Sequence, residues 1–155
     1  MTNLCSDVLQ ALAGKTLVTA ESLTGGGIGA ALTSISGSSE VYKGGVISYT
    51  NWVKHNVLGV REEDLTRYGA VSQPVARQMA EGVRSLLKAD VAVSVTGLAG
   101  PGGDDYGNPV GTVFIGYADE THSAVRECHF PGNREEVRKK TTEAALGLVL
   151  EYNRE

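Results

Sequence analysis

The stretch TAESLTGGGIGAAL, residues 19–32, joins an apolar, β-branched run to a helix of small residues through three consecutive glycines. Upstream, KTLVTAES reads as a strand rich in residues that fit a pleated surface. Downstream, GGIGAALTSI places Ile28, Leu32 and Ile35 at helical spacing, and its small side chains let it lie close to a sheet. Strand, glycine turn and helix in that order form the opening unit of an α/β sheet. Such a turn lies at the carboxyl end of its strand, the edge where open α/β sheets bind ligands.

The elements around it extend the same alternation. A first helix from about Asn3 to Leu12 is ended by Gly14, and GGVISYT is a second strand. Asn51 is a candidate N-cap for the short helix WVKHNVLG, and REEDLTRYG is a further short helix. After Ser72, with Pro74 in the first turn, Val75, Met79, Val83, Leu86 and Leu87 make one helical stripe. ADVAVSVTG is nearly continuously apolar, as expected of a strand covered on both faces. The loop LAGPGGDDYGNPVG then holds five glycines and two prolines. TVFIGYA and HSAVRECHF form a hairpin around an ADET turn, and Asn133 with Glu136 starts the last helix, REEVRKKTTEAALGLVLEY, as a capping box. The order predicts an α/β fold: a three-layer single domain over residues 1–155, a mixed β-sheet with helices on both faces, and no linker or repeat.

Composition narrows the function. Hydrophobic residues make up 41% of the 155 and charged residues 21%, ordinary for a globular protein, while 20 glycines point to tight turns or close backbone approach to a ligand. A formal net charge of −4 without a basic stripe argues against a nucleic-acid partner. Cys5 and Cys128 form neither a close pair nor a disulfide scaffold, which fits a reduced interior. The amino-terminal stretch is too short and polar for a signal peptide, and no apolar run approaches the roughly 20 residues of a membrane span. The expectation is a cytoplasmic enzyme or binding protein without a membrane partner.

Three places can carry chemistry. In the opening stretch, TGGGIG matches neither GxGxxG nor a P-loop, so the glycines serve either an anion near the following helix or tight packing of helix on sheet. Ser22 precedes them and would project near backbone amides able to hold an oxyanion, although without a base it is only a turn residue. The histidines His55, His122 and His129 lack the spacing of a triad or a metal site and read as surface or packing residues. Lys54 is the alternative base. With Asn51 as N-cap it sits in the first helical turn, where the helix dipole opposes a cation by roughly 0.3–1 kcal/mol. Burial must supply the rest of any shift towards the neutral amine, or Lys54 is simply an exposed lysine in a poor position. Tyr49 and Tyr42 flank the second strand and either phenol could relay a proton. In the third place, Thr96, Gly97, Gly100 and Gly102 offer backbone amides to a phosphate or carboxylate, while Asp104 and Asp105 read as turn residues and not as metal ligands. Arg134 and Arg138 could clamp an anion there.

Four segments taken together, TAESLTGG, GSSEVYKGGVISYTN, GAVSQPVARQMAEG and VTGLAGPGG…NPVGTVFIGYA, resemble the C-terminal domain family of the competence-damage protein CinA, from about Leu17 to Leu150. Stand-alone members of that family are nicotinamide-nucleotide amidohydrolases. The resemblance implies hydrolysis of nicotinamide mononucleotide to the nicotinate nucleotide and ammonia, in pyridine nucleotide salvage. It implies Ser22 as nucleophile, Lys54 as base and an assisting tyrosine, Tyr49 ahead of Tyr42, with no metal and no cofactor. Thr24, Gly25 and Gly26, with Thr96, Gly97, Gly100 and Arg134, would frame the amide and the ribose phosphate, and a homo-oligomer is expected. Leu23 stands where a cysteine is common in the family, and Trp52 puts an unexpected ring near Lys54. The alternative is a nucleotide-binding or regulatory domain of the CinA type that performs no chemistry.

Overall fold

Strand β1 (Leu17–Glu21), the strand of the opening stretch, lies inside a five-stranded sheet. The structure, a computed structural model, describes residues 1–154. Helix α1 (Thr2–Ala11) precedes β1, and α2 (Gly27–Thr33), a single 3₁₀ turn and β2 (Tyr42–Ile47) follow it. Next come α3 (Asn51–Asn56), α4 (Glu62–Tyr68), α5 (Gln73–Leu87), β3 (Val91–Gly97), β4 (Thr112–Ala118), β5 (Ser123–His129) and α6 (Arg134–Asn153). The order across the sheet is β2-β1-β3-β4-β5. Helical crossovers make β2 and β3 parallel to β1, whereas β4 and β5 run antiparallel as a hairpin, so the sheet is mixed.

Alternation along β3 sorts the two outer layers. Val91, Val93 and Val95 join Leu17, Val8, Leu12, Ile28, Leu146 and Val149 in the core beneath α1, α2 and α6. Ala92, with Val18 and Ala20, faces Val75, Met79 and Val83 of α5. Each of those three side chains is fully buried and contributes on the order of 2 kcal/mol. Two polar residues in the apolar strand have structural work: Ser94 Oγ donates to the Ala76 carbonyl at 2.7 Å, and Thr96 Oγ1 to the Ala70 carbonyl at 2.8 Å. Gly116 is required at the same crossing, because a Cβ there would run into the Ala76 carbonyl oxygen and the Ser94 hydroxyl.

The expected three-layer arrangement is present, with shifts at element ends. The second strand runs over Tyr42–Ile47, so Tyr42 lies within it and Tyr49 beyond it. The chain leaves the sheet after Ile47, once Ser48 N–H has donated to the Glu21 carbonyl at 2.7 Å. The N-cap of α3 is Thr50 and not Asn51, because the Thr50 hydroxyl accepts from Val53 N–H. Helix α2 stops at Thr33, where the hydroxyls of Thr33 and Ser34 bond back to carbonyls of the preceding turn. The capping box at Asn133 is formed as the sequence suggests: Asn133 Oδ1 accepts from Glu136 N–H at 2.9 Å and Glu136 Oε1 from Asn133 N–H at 3.0 Å. No helix among the described residues is long and apolar enough to cross a membrane.

Candidate active site

The carboxyl ends of β1, β2 and β3 lie side by side and deliver Ser22, Ser48 and Gly97 to one edge of the sheet. Ser22 stays within the ladder, its N–H donating to the Val95 carbonyl at 3.1 Å. The chain then turns sharply. Gly25 and Gly26 have φ of +57° and +102°, left-handed values that side-chain-bearing residues rarely adopt, and Gly25 N–H returns to the Ser22 carbonyl at 3.1 Å.

Helix α3 aims Lys54 at this turn. Its side chain is 1% exposed, and Nζ donates to Ser22 Oγ at 3.1 Å and to the Ser48 carbonyl at 2.7 Å. Burial pushes the Lys54 amine down from 10.5 to about 8, because the ammonium loses its water. The dominant cause is therefore desolvation and not the helix dipole. The candidate nucleophile and the candidate base, Ser22 and Lys54, are thus in direct contact.

Glu21 explains how the turn is held, and sequence reasoning passed over it. It is 2% exposed; Oε1 accepts from Thr24 Oγ1 at 2.6 Å and from Ile28 N–H at 2.8 Å, and Oε2 accepts from Gly29 N–H at 3.1 Å. The amino end of α2, a candidate anion cradle on sequence grounds, is thus filled by the protein's own carboxyl group. An acidic residue closing an otherwise apolar strand was the available signal. Ser48 was also missed: its carbonyl and its N–H tie Lys54 and Glu21 to one point.

The remaining candidates are distributed around the edge. Thr24 is buried between Glu21 and α6, and the N–H groups of Leu23, Thr24 and Gly26 donate to no acceptor among the described residues. Tyr49 is 59% exposed and its hydroxyl accepts from Arg134 Nη2 at 3.2 Å; it makes no bond to Lys54. Tyr42 lies at the opposite end of β2, and its hydroxyl meets Thr19 Oγ1 at 2.8 Å. Burial beside Thr19 raises the Tyr42 phenol above its usual range. The parallel register explains the distance, since Tyr42 pairs with Leu17 whereas the site forms beyond Glu21 and Ile47. Thr96 spends its hydroxyl on α5's lead-in, and Gly97 is held in the β3–β4 ladder. The Gly100 carbonyl is taken by Arg134 Nη1 at 2.7 Å. Arg138 donates from Nε to the Leu23 carbonyl at 2.9 Å and from Nη2 to the Thr24 carbonyl at 3.1 Å.

The groups set aside on sequence grounds have local partners. Asp104 accepts from Tyr106 and Asn108 N–H within its own loop, so it closes a turn. His55 Nδ1 lies 2.7 Å from the Val60 carbonyl, His122 beside Asp119 and His129 beside Glu127. Trp52 is 68% exposed on α3, two residues from Lys54 and so not on its buried face.

Comparison with known proteins gives a consistent picture. A "CinA-like protein" of Sulfurihydrogenibium sp. (strain YO3AOP1) is 47% identical over 138 residues, which is 89% of this chain and 34% of that protein. One from Endomicrobium trichonymphae is 46% identical over 151 residues, 93% of this chain and 35% of that protein. The chain therefore spans about a third of the length of these relatives. Among solved structures, the competence/damage inducible protein CihA of Agrobacterium tumefaciens superimposes with a TM-score of 0.95 at 39% identity, covering 99% of this chain and 95% of that one. The competence damage-inducible protein A (ComA) of Klebsiella pneumoniae gives 0.94 at 36% identity, covering 97% and 94%. The family model for the CinA C-terminal domain matches residues 1–153, and the chain belongs to that family.

Proposed function

We propose that the chain hydrolyses the carboxamide of nicotinamide mononucleotide to nicotinate mononucleotide and ammonia, with Ser22 as nucleophile and Lys54 as base. The observation that carries this reading is the buried 3.1 Å contact between Lys54 Nζ and Ser22 Oγ. A lysine titrating near 8 is about one-tenth neutral at pH 7, a gain in free base on the order of 300-fold over an ordinary lysine. A neutral Nζ keeps one N–H on the Ser48 carbonyl and turns its lone pair to the Ser22 hydroxyl, reversing that hydrogen bond. This is the Ser–Lys form of serine acyl chemistry.

The steps follow. Ser22 Oγ attacks the carboxamide carbon as its proton passes to Lys54 Nζ. The resulting ammonium protonates the departing nitrogen, releasing ammonia and leaving an ester on Ser22. Lys54, neutral again, takes a proton from water, whose oxygen attacks the ester; returning that proton to Ser22 frees the acid. No cofactor enters. Tyr49 and Arg134, bonded to one another, stand at the same edge as polar groups for the ribose phosphate.

The first test is ammonia release from nicotinamide mononucleotide. The wild type is expected to turn over, and Ser22→Ala to lose at least a thousandfold in kcat while still folding. Ligand binding without ammonia release in the wild type would instead favour a non-catalytic nucleotide-binding domain. The kcat of the wild type is expected to rise with pH through a midpoint near 8, because only the deprotonated Lys54 accepts the serine proton. A flat profile between pH 6 and 9 would count against Lys54 as base.

A further inference from the structure

Arg138 sits outside the nucleophile–base pair, yet it holds two consecutive carbonyls of the turn that follows Ser22. Its Nε donates to Leu23 O at 2.9 Å and its Nη2 to Thr24 O at 3.1 Å. A planar guanidinium can fix two acceptors in one orientation, which a single ammonium cannot. The consequence follows from peptide geometry. In a trans peptide the C=O and the N–H of one unit point in opposite directions. Binding the Leu23 carbonyl to Arg138 therefore turns the Thr24 N–H away from α6.

That N–H has no acceptor among the described residues, although Thr24 is 2% exposed and every other polar group of the residue is used. Its hydroxyl donates to Glu21 at 2.6 Å, and its carbonyl accepts from Arg138 and from Gly27 N–H at 3.0 Å. Buried backbone donors are almost always paired, yet the N–H groups of Leu23 and Thr24, the two buried residues directly after Ser22, both lack an acceptor among the described residues, so they are donors kept for a ligand atom. The neighbouring unit is locked as well: Gly25 N–H is bonded to the Ser22 carbonyl.

We infer that Arg138 is a positioning residue: by holding the Leu23 and Thr24 carbonyls it presents the Thr24 N–H to the oxyanion that forms when Ser22 attacks. The inference rests on Ser22 being the nucleophile proposed above. The guanidinium bonds to the carbonyls of the turn and not to Ser22; it sets the direction of one peptide plane and polarises that plane's N–H towards a developing negative charge.

The experiment compares wild type, Arg138→Lys and Arg138→Gln in two reactions: ammonia release from nicotinamide mononucleotide, and acylation of Ser22 by p-nitrophenyl acetate, with Ser22→Ala as the blank. Thermal denaturation confirms that each variant is folded. Arg138→Gln is expected to lower kcat and the acylation rate by about 10- to 100-fold. KM for the nucleotide should stay within about threefold and the pH midpoint near 8, with Arg138→Lys intermediate. A merely structural role would lower melting temperature without separating kcat from KM. If the wild type is active and Arg138→Gln stays within twofold in both reactions, or loses only KM, the inference is overturned and the amidase reading stands. If the wild type releases no ammonia but its Ser22 acylation depends on Arg138, the deamidase reading fails and the inference holds. If Ser22 is not acylated above the blank and no ammonia appears, both fall.

Discussion

Replacing Lys54 with methionine is expected to cut ammonia release by roughly a thousandfold and still give a protein at least as stable as the parent at pH 7. The two effects share one cause. Lys54 is almost fully buried, and burial lowers its amine from 10.5 to about 8. Below pH 8 the lysine is protonated in both the folded and the unfolded chain, so the folded state bears a desolvation cost on the order of 3 kcal/mol. Methionine removes that cost at similar volume. It also removes the donor to the Ser48 carbonyl, which costs about 1–2 kcal/mol. Relief of desolvation outweighs the lost hydrogen bond, and a net stabilisation of about 1–2 kcal/mol is expected from urea denaturation. Between pH 8 and 10.5 the unfolded chain still holds the proton that the native chain has released. Wild-type stability therefore rises through that window relative to Lys54→Met, and the gap closes. A variant destabilised by several kcal/mol, with a pH-independent gap, would show that Lys54 is not held against its own solvation.

Glu21→Ala is expected to be the most destabilising substitution near the site. It strands the Thr24 hydroxyl and the N–H groups of Ile28 and Gly29, three donors that meet the carboxyl group at 2.6–3.1 Å. Donors of this kind cost about 1–3 kcal/mol each when left unpaired, and water entering the vacated space recovers part of it, so a loss of about 3 kcal/mol is expected in urea denaturation. Glu21→Gln keeps the volume and one acceptor but turns an amide N–H₂ towards a backbone donor, for a loss of about 1–2 kcal/mol. Ammonia release should fall in the same order, because the Ser22 turn is anchored on these bonds. Equal stability of Glu21→Ala and wild type would show that the turn is held without Glu21.

What was legible in the sequence had local causes. The strand–glycine–helix unit, the continuous apolar run of β3 and the Asn133 capping box each depend on neighbours a few residues away, and each formed, although α2 ends at Thr33, short of Ile35. The five-stranded mixed sheet followed from their order. Ends were less legible: the choice of Thr50 over Asn51 as cap turns on one hydroxyl's orientation. Side-chain direction was the least legible. Tyr42 and Tyr49 flank the same strand, but the pairing register decides that only Tyr49 reaches the edge near Ser22. The brace from Arg138 to the Leu23 carbonyl spans 115 residues, and no local pattern encodes it.

Those separations bear on when the chain becomes reactive. Lys54 is 32 residues from Ser22, and the arginine that steadies the turn comes later than every strand of the sheet. The lowered basicity of Lys54 is a property of enclosure, created only when α3 closes over the carboxyl ends of the strands. A nascent or partly folded chain therefore carries an ordinary lysine and an ordinary serine, and under the proposed mechanism it gains its base only once that enclosure is complete.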